Sequence, residues 1–156
     1  MAARGERMTA RDLAIWGAFA LAAANGLVGL FGAARWYRFT PSREFWLGLR
    51  AAQVLALAYA LLVGVLAVGK HHPSSSLFYL YALLPIAIGF VAEQLRLVAA
   101  DQVLTSRDLE NAQQVATLPA PEQGAIVTQI LRREMGVMAL AALVVCVLAL
   151  RAAGTY

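Results

Sequence analysis

Charge is what this chain has least of. Asp, Glu, Lys and Arg together make up 14% of its 156 residues, against about 25% in soluble proteins. With so few charges, the helices cannot each carry a solvated face. The net charge of +4 and the pI near 9.7 read as a topology signal and a contact to anionic lipid, not as a nucleic-acid footprint. Cysteine is nearly absent. The single Cys146 excludes an intramolecular disulfide and, lying inside an apolar run, reads as packing. The histidines are His71 and His72, side by side on a turn with no third ligand nearby in sequence, which is a poor pattern for zinc or haem. The sequence contains no phosphate-binding glycine loop, nucleophile elbow or HExxH. Ser74, Ser75 and Ser76 follow a proline and read as a capped turn before they read as a nucleophile. Neither catalysis, a metal nor a cofactor is expected.

Apolar residues are what the chain has in excess: 61% of the total, with a mean hydropathy of +0.66. They come in blocks approaching the roughly 20 residues that cross a bilayer core of about 30 Å. A soluble protein of this size could not hide four helices that are apolar all round. The fold class expected is therefore all-α: an integral membrane four-helix bundle forming a single domain over 1–156. The spans fall at about 13–34, 46–69, 77–100 and 135–152, with a helical hairpin over about 101–134. The N-terminal stretch mimics a signal peptide. Its charge-free run from Leu13 to Ala34 is longer than an h-region and lacks a clear cleavage site, so it reads as a retained first span, with Met8 as an alternative start.

Thr40-Pro41-Ser42 stops one helix and starts the next, with Ser42 as N-cap, and Ser75 or Ser76 caps the third span. Between spans three and four, Thr105–Asp108 matches a capping box, and Leu109, Ala112 and Ala116 follow at helical spacing. Pro121 suits the first turn of a long last helix whose apolar face includes Ile126, Ile130 and Leu131. Basic residues set the orientation. Arg35, Arg38, Arg43, Arg50, Arg96, Arg107, Arg132 and Arg133 fall on one side, and Arg4, Arg7, Arg11, Lys70 and Arg151 on the other. The positive-inside rule then places the hairpin in the cytoplasm and both termini outside.

Small residues recur every fourth position at Gly48, Ala52, Ala56, Ala60 and Gly64, and span one has a small face that includes Ala18, Ala22, Gly26, Gly29 and Ala33. Lipid tails are as apolar as leucine, so membrane helices associate by close backbone approach, which small residues permit. The two faces are expected to pack on each other, or one of them on a second chain, leaving Trp16, Phe19 and Phe31 outward. Ionisable residues inside a span pair up or face an interior cavity. Antiparallel spans bring Arg50, Gln53, Glu93 and Arg96 to one end, where a polar cluster is expected, with Arg35 and Glu134 on the same face. It either fixes helix register or lines a vestibule for an anion, a proton or a lipid headgroup. Asn25 in mid-span reads as an interhelical hydrogen bonder, and Pro85 as a bend.

With little chemistry and much contact surface, the expected function is a non-catalytic accessory, scaffold or assembly subunit. Its partners would be membrane lipid and a membrane protein or a second copy. The alternatives are a small oligomeric transporter or channel using the polar cluster and, third, a lipid- or quinone-binding membrane enzyme.

Overall fold

A computed structural model of the protein describes residues 9–71, 73–109 and 112–156; Arg4, Glu6, Arg7, Met8 and His72 lie outside them. Local chemistry starts each helix. The Thr9 hydroxyl accepts the Asp12 N–H at 3.2 Å and the Asp12 carboxylate accepts the Thr9 N–H at 3.0 Å, a reciprocal box that opens α1 (Ala10–Tyr37). Ser42 accepts the Phe45 N–H at 3.3 Å and opens α2 (Arg43–Val68), as the Thr-Pro-Ser spacing predicts. Ser75 accepts the Leu77 N–H at 3.2 Å ahead of α3 (Leu77–Thr105), whereas Ser76 makes no side-chain cap bond. The third helix runs through Pro85 without a break.

The ends of these three helices share one device. Phe39, Lys70 and Asp108 adopt φ of 57°, 60° and 56°. The next residue in each case, Thr40, His71 or Leu109, donates to the carbonyl five positions back at 3.1 Å. This is the Schellman turn, whose left-handed position is usually glycine.

The segment from 101 to 134 departs from the sequence reading. Nothing between Ala100 and Thr105 interrupts a helix, and Ala92, Ala99 and Val103 continue one buried stripe, so α3 continues to Thr105. Thr105–Asp108 is consequently its C-terminal turn and not a capping box; the Ser106 hydroxyl donates to the Val103 carbonyl at 2.8 Å. Only one turn of helix, α4 (Ala112–Ala116), follows. The last helix, α5 (Ala120–Ala153), has 34 residues, about 50 Å at 1.5 Å per residue. The arms of the hairpin are therefore the end of α3 and the start of α5. Val103 and Ile126 are buried on them, and Arg107 Nη2 donates to Gln129 Oε1 at 3.0 Å across them.

Helices α1, α2, α3 and α5 are each long and apolar enough to cross a membrane, and the chain is a multi-pass, all-helical membrane protein. α5 sits between α1 and α3 and packs extensively on both, α2 leans mainly on α1, and α2 and α3, consecutive in sequence, meet only lightly. Of the small face of α1, Gly26 and Gly29 meet α5, where the sequence reading has the face pack on α2 or on a second chain. A Cβ at Gly26 would sit 3.1 Å from Cys146 Sγ, and one at Gly29 would sit 2.8 Å from Leu143 Cγ and 3.1 Å from the Leu143 backbone nitrogen. Ala18 and Ala22 are buried in a cluster that includes Ala56 and Tyr59 of α2 and Val145 and Ala149 of α5. The stripe on α2 divides. Gly48 touches Val28 of α1, Ala52 and Ala56 are buried, Ala60 is half-buried and Gly64 is exposed with open space above it. A spacing of four advances about 40° past a full turn, so the four steps from Gly48 to Gly64 carry the stripe off any straight contact. Trp16, Phe19 and Phe31 face outward.

Candidate functional site

The polar cluster lies where α2 and α3 part. Arg50 and Gln53, three apart, share a face of α2; Glu93 and Arg96, three apart, share a face of α3. Arg50 Nη1 donates to Glu93 Oε1 at 2.6 Å and to Gln53 Oε1 at 2.7 Å, and Gln53 Nε2 donates to the same Glu93 oxygen at 3.1 Å. Arg96 Nε lies 3.6 Å from Glu93 Oε2. It forms an ion pair without hydrogen-bond geometry and has no other bonding partner among the described residues. The Arg96 guanidinium also sits 5.4 Å from the centre of the Trp46 ring, a favourable arrangement for a cation over an aromatic face. One carboxylate thus serves two guanidinium groups, and the cluster of four carries a net positive charge. Glu134, on α5, lies within electrostatic reach of Arg96 and Glu93.

The two helices border an open cleft of about 250 Å³. Arg50, Gln53 and Glu93 form one end, and Leu57, Ile86 and Phe90 line the apolar remainder. Gln53, Ala56, Pro85 and Gly89 also border a second, inner chamber of about 30 Å³ reaching Asn25 and Met138, which has room for a water-sized molecule. Asn25 is buried there, but its amide donates to the Leu21 carbonyl at 3.0 Å. The bond lies within α1 and not between helices, because Asn25 points into the chamber and its nearest acceptor is one turn back.

A second cationic group occupies the same end of the bundle. Arg35 lies 3.9 Å from Glu44 and 5.5 Å from the Phe31 ring centre; Arg132 stacks 3.4 Å above Phe39 and 5.5 Å from Trp36. The Ser42 hydroxyl, donating at 2.6 Å, holds the Glu44 carboxyl below its ordinary range, with Arg35 and Arg43 assisting. The sequence reading missed this group. Its signal was the run Arg35-Trp36-Tyr37-Arg38-Phe39, whose aromatic faces supply stacking surfaces for cations. The antiparallel packing gathers Arg35, Arg38, Arg43, Arg50, Arg96, Arg107, Arg132 and Arg133 at this end; Arg11, Lys70 and Arg151 lie at the other.

Other candidates find structural uses. The Ser74 hydroxyl donates to the Tyr156 carbonyl at 2.8 Å, tying the α2–α3 turn to the C-terminus, where Tyr156 meets Phe78 edge-on at 4.8 Å. Cys146 is half-buried in the α1–α5 seam. His71 is exposed, and no group of three or more metal-ligating side chains is found among the described residues.

No family model matches the chain, and neither a curated protein nor a solved structure does. The reading of function therefore rests on geometry alone.

Proposed function

We propose that this multi-pass protein works without catalysis, as an accessory or assembly subunit that joins another membrane helix through the outer face of α2. One observation carries the reading. Ala60, Leu61, Gly64, Val65 and Val68 outline a shallow apolar groove, and a Cβ on Gly64 would touch nothing. In hydrocarbon such a groove is an interface in a way that exposed leucine is not, since it lets a second backbone approach closely. The pairing of the charged groups in the spans with one another supports it further, because little acid–base chemistry is left for a substrate. The basic end of the bundle is assigned to the cytoplasm by the positive-inside rule, which puts the C-terminus outside.

Site-directed crosslinking tests the reading. With Cys146→Ala removing the native thiol, Gly64→Cys is expected to yield one discrete crosslinked product in native membranes. Leu97→Cys, on an exposed face of α3, is expected to yield none. Monomer alone from Gly64→Cys refutes the proposal. A second reading, a small oligomeric transporter, draws on the open position of the Arg50–Glu93 pair beside the cleft. It requires anion flux in proteoliposomes that Arg50→Ala abolishes.

A further inference from the structure

The cleft between α2 and α3 is polar at one end only, and that end lies toward the mouth of the bundle. Arg50 stands seven residues into α2. Leu57 stands seven further on, about 10 Å deeper at 1.5 Å per residue. Across the cleft, Glu93 lies level with Arg50, and Phe90, Ile86 and Pro85 descend beside Leu57. Leu57 and Phe90 on its walls are exposed on the outer surface of spanning helices, where a bilayer would meet them. The cleft therefore repeats the profile of one leaflet, polar at the interface and apolar toward the midplane. Arg50 is the cation that lines its polar end, with Arg96 on the far side of Glu93. Glu93 accepts from Arg50 and pairs in charge with Arg96, and the Arg50 side chain remains 53% exposed with only Nη1 engaged among the described residues. A guanidinium with a free edge recognises a phosphate oxyanion by paired N–H donors. The apolar floor below it accepts a hydrocarbon chain.

From this juxtaposition we infer that the α2–α3 cleft is a binding site for a glycerophospholipid of net negative charge, its phosphate on the free edge of Arg50 and one acyl chain between Leu57 and Pro85–Ile86–Phe90. Gln53 and Glu93 hold the Arg50 guanidinium in place for the headgroup. Gly89 is the reason the chain fits: a Cβ there would meet no atom within 4 Å, so the absent side chain is the space that the lipid fills. Headgroup recognition and chain burial thus come from different residues and fail separately. The site is independent of the assembly face, which lies further along α2 at Gly64.

The test uses delipidated full-length protein in a non-ionic detergent, titrated in a native mass spectrometer with dioctanoyl phosphatidylglycerol, dioctanoylglycerol or glycerol phosphate. One phosphatidylglycerol per chain is expected, with the other two probes at least about tenfold weaker, the size of a lost charged hydrogen bond or of a lost chain contact. Arg50→Ala is expected to weaken phosphatidylglycerol at least about tenfold and to leave dioctanoylglycerol unchanged. Gly89→Leu fills the cleft without a clash at its Cβ and is expected to weaken both lipids, with helix content by circular dichroism unchanged. Equal binding of phosphatidylglycerol and dioctanoylglycerol overturns the headgroup assignment. Retention of chainless glycerol phosphate shows a free-phosphate site instead. Undiminished phosphatidylglycerol binding by Gly89→Leu overturns the cleft, and this variant decides the matter even if Arg50→Ala fails to fold. Displacement of phosphatidylglycerol by an equimolar short-chain quinone overturns the lipid class.

Discussion

The seam between α1 and α5 makes a quantitative prediction that separates steric fit from helix propensity. Gly29 and Gly64 are both glycines in the interior of long apolar helices, and replacing either with alanine adds one methyl and removes the same backbone freedom. In a helix that exchange favours alanine by about 1 kcal/mol. The surroundings differ. At Gly64 the methyl enters open space, so Gly64→Ala is expected to be neutral or up to about 1 kcal/mol more stable. At Gly29 it would sit 2.8 Å from Leu143 Cδ2 and Cγ, and 3.1 Å from the Leu143 nitrogen. The leucine side chain can turn away, but the nitrogen moves only if α5 moves. Overpacking of this kind costs about 1–3 kcal/mol, so after the propensity gain of about 1 kcal/mol Gly29→Ala is expected to lose up to about 2 kcal/mol. The propensity contribution cancels in the comparison, so the two variants differ by the overpacking cost, about 1–3 kcal/mol. Equilibrium unfolding of monomeric protein in mixed micelles, titrated with a denaturing detergent and followed by circular dichroism, measures the difference. Leu143→Ala in the Gly29→Ala background is expected to recover only part of the loss, because the backbone contact persists. If Gly29→Ala proves as stable as Gly64→Ala, α1 and α5 do not approach as closely as described, and the small-residue account of the seam is wrong.

Other sites give further expectations. A double-mutant cycle between Arg50→Ala and Glu93→Ala should return a coupling of about 1–2 kcal/mol, tempered by the 53% exposure of the arginine; a coupling near zero would mean that the pair is incidental. Lys70 holds φ at 60° in a helix-ending turn, so Lys70→Gly should raise the unfolding midpoint, by about 1 kcal/mol in free energy; a drop would contradict the left-handed backbone. Asp12, just ahead of the first apolar run, has its carboxyl held below 3.8 chiefly by the Thr9 hydroxyl, then by the Thr9 N–H. Its stabilising effect is therefore fully present above pH 3.8 and fades as the pH falls through the lowered value. Amide exchange in the first turn of α1 should be slow at pH 6, and Asp12→Asn should speed it at that pH.

The layout of the fold was legible in the sequence because hydrocarbon imposes a coarse rule, that each crossing needs a long apolar run with charges beyond its ends. Four runs and their short connections followed from that rule, as did the meeting of Arg50, Gln53, Glu93 and Arg96 at one end, since antiparallel chain direction alone brings those levels together. Which helix touches which was not legible. Gly26 and Gly29 look alike as partners for α2 or α5, and only three-dimensional packing gives them Cys146 and Leu143. Asn25 was misassigned for a related reason, because a polar side chain in a span finds either a neighbour helix or its own backbone, and the sequence does not say which lies nearer. The capping-box reading of Thr105–Asp108 failed since the same residue types end helices as well as start them, and Asp108 in a left-handed turn serves the former use.

The unequal packing of the four long helices has a consequence for where function can reside. α1, α3 and α5 are held by glycine–alanine seams and by buried Phe78, Val145 and Ala149. Displacing any of them would lose many contacts at once. α2 is attached at fewer points: Phe45 packed into the gap at Gly32, Tyr59 lying over Gly17 and donating to the Ala14 carbonyl at 3.2 Å, and Arg50 bound to Glu93. Two of these three lie toward the basic end, so among the described residues Tyr59 alone gives the half of α2 from Ala60 to Val68 a polar tie to its neighbours. Removing that tie therefore tests whether α2 is a separable element. Tyr59→Phe keeps the ring over Gly17 and deletes only the hydroxyl, a change expected to cost about 1 kcal/mol. If α2 moves as a unit against the other three helices, the variant should raise thiol accessibility at Val63→Cys, buried on α2, in a Cys146→Ala background and leave Val145→Cys, buried on α5, protected. Equal protection of both positions would mean that the four helices form one rigid body and that the cleft beside α2 has a fixed width.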